Sequence, residues 1–146
     1  MTREEQLRAA YLYVRDSFVY RVRNYYPVGR TGWALDEALT MFSTGKGNCY
    51  CYAGAFWAAA RGLGYDAKIV SGTYGDTEAP HGWVEIYQDG ERFTYDVEIE
   101  MANLAKGQKP DMYALNDANR SPHQYEDMYY SDELMPRETN DGLALR

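Results

Sequence analysis

A chain of 146 residues fits one domain, since domains run to roughly 100–200 residues, and 45% hydrophobic with 15% aromatic side chains is enough apolar material for a core of its own. Fifteen Lys and Arg against 22 Asp and Glu leave a net charge of −7, which repels phosphate and argues against nucleic acid or an anionic membrane as partner. No apolar run reaches the ~20 residues that span a bilayer, and Thr2 to Arg8 lacks the basic and apolar regions of a signal peptide; no membrane insertion is expected, and the chain as written reads as cytoplasmic, or else as a domain excised from a secreted or cell-surface protein.

Thr2-x-x-Glu5 is a capping box, and Leu7, Ala10, Tyr11, Val14 and Phe18 follow at helical spacing, so a helix is predicted over residues 2 to about 18. Val19 to Gly32, with Pro27 and two glycines, reads as an ordered connection. Leu35, Ala38, Leu39 and Phe42 mark a short second helix from Trp33 to Phe42. Asn48 is a good N-cap for an alanine-rich central helix that ends near Gly62 and Gly64. Asp66 to Tyr74 reads as a strand, and His81 to Tyr87 with Glu91 to Glu98 as two more around the Asp89-Gly90 turn. Beyond Met101 the periodicity fades and no element is assigned; Tyr113, Tyr125, Tyr129 and Tyr130 are candidates for packing this segment back, before a polar tail from about Pro136. The order predicts an α+β fold over residues 1–146, with N-terminal helices and a central helix packed on an antiparallel sheet.

The two cysteines, Cys49 and Cys51, are separated by one residue, which leaves little room for an unstrained bridge. Cys49 opens the central helix, where free N–H groups and the helix dipole stabilise a thiolate; the competing reading is a small buried core residue. At about 100° per residue, Cys51 faces the other way and reads as packing. If Asp89-Gly90 is a two-residue turn, Gln88 pairs with Glu91, Trp83 lies opposite Asp96 and His81 opposite Glu98. His81, Trp83 and Glu85 then share a face with Thr94, Asp96 and Glu98, and His81 and Asp96 become diagonal neighbours at roughly 7–8 Å. A thiol nucleophile needs a base, and the base an orienting acceptor; Cys49, His81 and Asp96 supply all three, with Glu98 competing for the last role. A zinc reading through Cys49, Cys51, His81 and His123 is disfavoured because C-x-C on a helix splays its thiols. No phosphate loop is present. No metal and no cofactor are expected.

The strings GKGNCYCYAGAFWAAARGLGYDAKIVSG, HGWVEIYQDGERF and TYDVE, from about Trp33 to Glu98, resemble the transglutaminase-like superfamily, in which a Gly-x-Cys helix start precedes a His-x-Trp-Val strand and an Asp strand. The resemblance implies a papain-like core, the family's cysteine, histidine and aspartate at Cys49, His81 and Asp96, and acyl transfer through a thioester on peptide or protein substrates, by peptidase, deamidase or transglutaminase chemistry. It also implies an additional oxyanion donor, for which Trp33, Tyr20 and Tyr25 are candidates, and places Trp83 beside the site. The extra β domains of animal transglutaminases are absent from this sequence, so their calcium control is not carried over. A non-catalytic domain that holds a peptide or cell-wall component, and a structural domain with a core cysteine, are the alternatives.

Overall fold

The computed structural model describes residues 1–121 and 123–139. Helix α1 (Arg3–Ser17) starts at Thr2, and both halves of the capping box form: Glu5 N–H donates to the Thr2 hydroxyl and Thr2 N–H to the Glu5 carboxylate. The connection after it contains the short β1 (Val19–Tyr20), which pairs in parallel with β2 (Lys46–Gly47). Between them, α2 (Ala34–Thr44) buries Ala34, Glu37, Ala38 and Met41. The expected stripe through Leu39 and Phe42 is therefore corrected, since both of these are exposed. The core-facing stripe instead includes a carboxylate, Glu37, which hydropathy could not have placed there.

The central helix α3 (Cys49–Gly62) is buried on nearly every side along its first two turns. Its small residues allow that: at Gly54 a Cβ would fall 2.7 Å from the Ala34 carbonyl oxygen, so α2 and α3 touch backbone to backbone. The helix ends in a left-handed Gly64, with Gly64 N–H bonded to Arg61 O and Tyr65 N–H to Ala60 O, the two bonds of a Schellman stop.

Strands β3 (Asp66–Tyr74), β4 (Ala79–Gln88), β5 (Glu91–Tyr95) and β6 (Tyr125–Tyr130) form one antiparallel sheet in the order β5-β4-β3-β6. Asp89 and Gly90 both have positive φ, as a tight hairpin turn demands, and Gln88 pairs with Glu91 as predicted. One face of the sheet (Ala67, Ile69, Val84, Ile86, Tyr95) packs on α1 and α3 around Tyr11, Phe56 and Trp57. The other carries a second cluster of Val70, Trp83, Met112, Leu115 and Tyr125. The strand expected to run to Glu98 stops at Tyr95, and Val97–Ala105 is helix α4, capped by the Asp96 side chain through Ile99 N–H. Short carboxylates compete with ladder bonding by capping, and here the cap wins. A final helical turn, α5 (Pro136–Thr139), opens the polar tail. Residues 140–146 of that tail lie outside the described residues.

Candidate active site

The site begins at the start of α3. Cys51 and Tyr52 N–H groups both bond to Asn48 O, so the first turn leaves the N–H groups of Cys49 and Tyr50 outside the helical ladder. Cys49 is 3% exposed at this positive helix end. Asn48 takes the N-cap position that the sequence predicts, but its side chain makes no capping bond: both of its polar side-chain atoms are buried without a protein partner. β2 precedes it directly, and Arg21 N–H to Gly47 O and Val19 N–H to Gly45 O hold β1 alongside. That pairing carries Tyr20 close enough to feel the charges of Cys49 and Glu98.

His81 enters from β4 and is 5% exposed. Its Nε2 lies 2.7 Å from Asp96 Oδ2, and a ring nitrogen lies within 4.8 Å of the Cys49 sulfur. The predicted neighbours thus do meet, although by a different route from the one the register suggested. β5 ends opposite Val84, so no β5 residue faces His81, which pairs with Gly72 of β3 on its other side, and Asp96 reaches it by turning off the strand into α4. Glu98 is not across the sheet from His81 but on α4, and the imidazole's bonded carboxylate is Asp96. Burial works against an imidazolium here, yet the charges of Asp96 and Cys49 outweigh it and hold His81 well above its ordinary value.

Asp96, 2% exposed, accepts three hydrogen bonds through its carboxylate. Oδ2 accepts His81 Nε2 and the Tyr125 hydroxyl, each at 2.7 Å, while Oδ1 accepts Ile99 N–H at 3.3 Å. The His81 ring stacks on Trp83 at 5.9 Å and lies 5.2 Å from Tyr74, so two aromatic rings keep water off the imidazole. Trp83 therefore packs beside the site, as expected.

Cys49, His81 and Glu98 offer a thiol sulfur, a ring nitrogen and a carboxylate oxygen, all within 4.8 Å of one another. This donor set differs from the disfavoured zinc reading, because Cys51 and His123 are elsewhere. Arg23 donates to Cys51 Sγ at 2.8 Å, and His123 is exposed beside Glu126. Half-buried Glu98 is pushed up to about 7, chiefly by burial, with Asp96 adding to the effect and His81 opposing it. Of the three candidate oxyanion donors, Trp33 is already engaged, its indole N–H donating to Arg30 O at 2.7 Å. The Tyr20 and Tyr25 hydroxyls pair with each other at 3.4 Å. Three surface depressions, near Tyr87, Phe93 and Pro110, are lined by none of Cys49, His81 and Asp96.

Two residues of the site were not legible as such. The sequence marks Asn48 only as a cap and Tyr125 only as a candidate for packing. Nothing in the spacing around Tyr125 distinguishes it from the other 14 tyrosines, because its partner is 29 residues away.

The family model described as the transglutaminase-like superfamily matches residues 1–96. No curated protein matches the chain. Among solved structures, the chain is similar to one described as a TGase, at 20% identity and a TM-score of 0.52, with 85% of this chain and 32% of that one covered. It is also similar to a candidate cysteine protease from Cytophaga hutchinsonii, at 16% identity and a TM-score of 0.49, covering 85% of this chain and 43% of that one. The chain thus spans less than half the length of either.

Proposed function

The chain belongs to the transglutaminase-like superfamily, and from that premise we propose that it is a cysteine-dependent amide hydrolase or acyltransferase acting on peptide or protein substrates. Membership supports a cysteine-type enzyme; the reaction and the residues are our reading. The observation that carries it is the convergence of Cys49, at the N-terminus of a buried helix, on His81 within 4.8 Å, with His81 in turn hydrogen-bonded to Asp96. Cys49 sulfur attacks the amide carbonyl carbon, and the carbonyl oxygen becomes an oxyanion beside the free N–H groups of the first turn, with Tyr20 as a further donor. Collapse breaks the C–N bond as His81 gives its proton to the departing nitrogen, leaving a thioester. Asp96 holds the ring and stabilises the imidazolium. Water or a second amine then attacks the thioester carbonyl, His81 takes the incoming proton, and the carbon–sulfur bond breaks to return the thiolate.

Incubating the protein with a peptide library and a labelled amine tests this by product mass. Cleavage, deamidation and amine incorporation give different masses, and each should vanish in Cys49→Ala. No mass change under any condition would leave the reading without support. The burial of Cys49 favours a second reading, a peptide- or cell-wall-binding domain without turnover. Alkylation of Cys49 by iodoacetamide separates the two: a thiol that labels only with the alkaline profile of an ordinary cysteine, unaffected by His81→Ala, belongs to a binding module.

A further inference from the structure

We infer that Tyr125 is a positioning residue for this site: delivered by β6, its hydroxyl holds the Asp96 carboxylate that in turn holds His81, so that the C-terminal part of the chain completes the reactive centre. This rests on the reading of Cys49, His81 and Asp96 given above. Tyr125 lies beyond residues 1–96, the span that matches the family.

The argument is geometric. The terminal torsion of an aspartate is broad and roughly two-fold, so a single imidazole partner does not hold its plane. Here Oδ1 is tied to Ile99 N–H, and Oδ2 lies between His81 and Tyr125. Three donors from three elements leave the carboxylate one orientation. Tyr125 is 7% exposed, with Trp83 at 4.6 Å and Tyr74 at 5.0 Å, the same two rings that flank His81. The approach of β6 is itself built in: Tyr125 pairs with Tyr74, the register shifts between Ser71 and Thr73, and at Gly72 a Cβ would stand 2.5 Å from Glu126 O and 2.8 Å from Trp83. Any side chain at Gly72 would push β6 away and withdraw the hydroxyl. Burial and the neighbouring Asp96 charge keep the Tyr125 phenol well above its ordinary value, so it stays a donor across the working pH range.

The same strand offers a matched control. Tyr130 donates to Glu85 Oε1 at 2.7 Å, a bond of equal length that touches neither His81 nor Asp96. Groups facing His81 and Asp96 are Cys49 from α3, Glu98 from α4, Tyr74 from β3, Tyr125 from β6 and Tyr11 from α1, whose hydroxyl is 3.4 Å from Asp96 O. Removing the Tyr125 hydroxyl leaves more of the Asp96 charge for the imidazolium, so the loss of the His81 proton moves to higher pH while the ring is held less well.

The test compares the full-length wild type, Tyr125→Phe and Tyr130→Phe. It follows iodoacetamide labelling of Cys49 against pH, and kcat and KM on a peptide amide that the wild type turns over. Tyr125→Phe should shift the alkaline limb upward by roughly half a pH unit and lower kcat roughly tenfold with KM within about twofold, while Tyr130→Phe moves neither. An unshifted limb in Tyr125→Phe, or an equal shift in Tyr130→Phe, overturns the inference. A wild type whose labelling does not depend on His81 overturns the parent reading instead. Should Tyr125→Phe not fold, NMR of the unaltered protein decides: a slowly exchanging hydroxyl proton, identified by its proximity to the Trp83 ring, should shift as His81 titrates. One that does not respond overturns the inference.

Discussion

Cys49 and Cys51 sit two residues apart on the same helix, both buried and both beside a carboxylate, and they differ in what faces them. Cys49 meets an imidazole backed by Asp96. Cys51 meets Arg23, which also donates to both oxygens of buried Glu37, while the Tyr26 hydroxyl donates to the same carboxylate. Burial, with Glu37 adding to it, pushes the Cys51 thiol up, so it stays protonated and unreactive near neutral pH. A helix rotates its side chains by about 100° per residue, and that rotation separates a thiol that faces a base from one that faces Arg23, a group that can only donate. The Arg23, Glu37 and Cys51 group ties the irregular segment after β1 to α2 and α3, whereas Cys49 faces an imidazole.

The largest effect that would break this contrast is on turnover. Cys49→Ala should abolish it, by about 10³-fold or more, with the fold intact by circular dichroism, whereas Cys51→Ala should retain turnover within a few-fold. Comparable losses from both would mean that the two thiols are not functionally distinct. Next in size, His81→Ala should remove neutral-pH alkylation of Cys49 by roughly 10²-fold or more while leaving the slow labelling of Cys51 unchanged, as read by peptide mass mapping. Smaller is the stability cost of Cys51→Ala, on the order of 1–2 kcal/mol in urea melts, because a buried sulfur is removed and Arg23 loses an acceptor.

The smallest effect sharpens the comparison of the two carboxylates. Glu37 has an arginine against it, while Glu98 sits near the Asp96 charge and is pushed to about 7 from 4.5. A carboxyl raised in the native state binds its proton there while the unfolded chain has already released its own, so stability falls as pH rises from about 4.5 to about 7. Glu98→Gln should flatten that slope and stabilise the protein at pH 8 by on the order of 1 kcal/mol, after discounting for partial exposure. Thermal melts of both forms at pH 5 and pH 8 check the sign; an unchanged slope would place the titration elsewhere.

Much of this was legible along the chain. The capping box at Thr2 and Glu5, the glycine-terminated central helix, the exact span of Asp66 to Tyr74 and the Gln88 to Glu91 register all rest on contacts between residues close in sequence. The faces of Cys49 and His81 were within reach for the same reason, since a helix start and a tight turn set them, whereas Asp96 meets His81 from the cap of α4 and not by strand parity. Hairpin parity holds as far as Tyr95 and fails beyond it, where Asp96 and Glu98 leave the expected strand for α4.

Helix starts, turn stereochemistry and side-chain parity are short-range, so the order of the residues decides them alone. Where β5 stops, which carboxylate takes the imidazole, why Glu37 lies inside and why Tyr125 differs from its neighbours were settled only by the folded molecule. Each depends on a partner distant in sequence, Met112 O for the Asp96 N–H, Asp96 for Tyr125 and Arg23 for Glu37. A buried polar group is stable only where its partner arrives, and that arrival is a property of the packed structure.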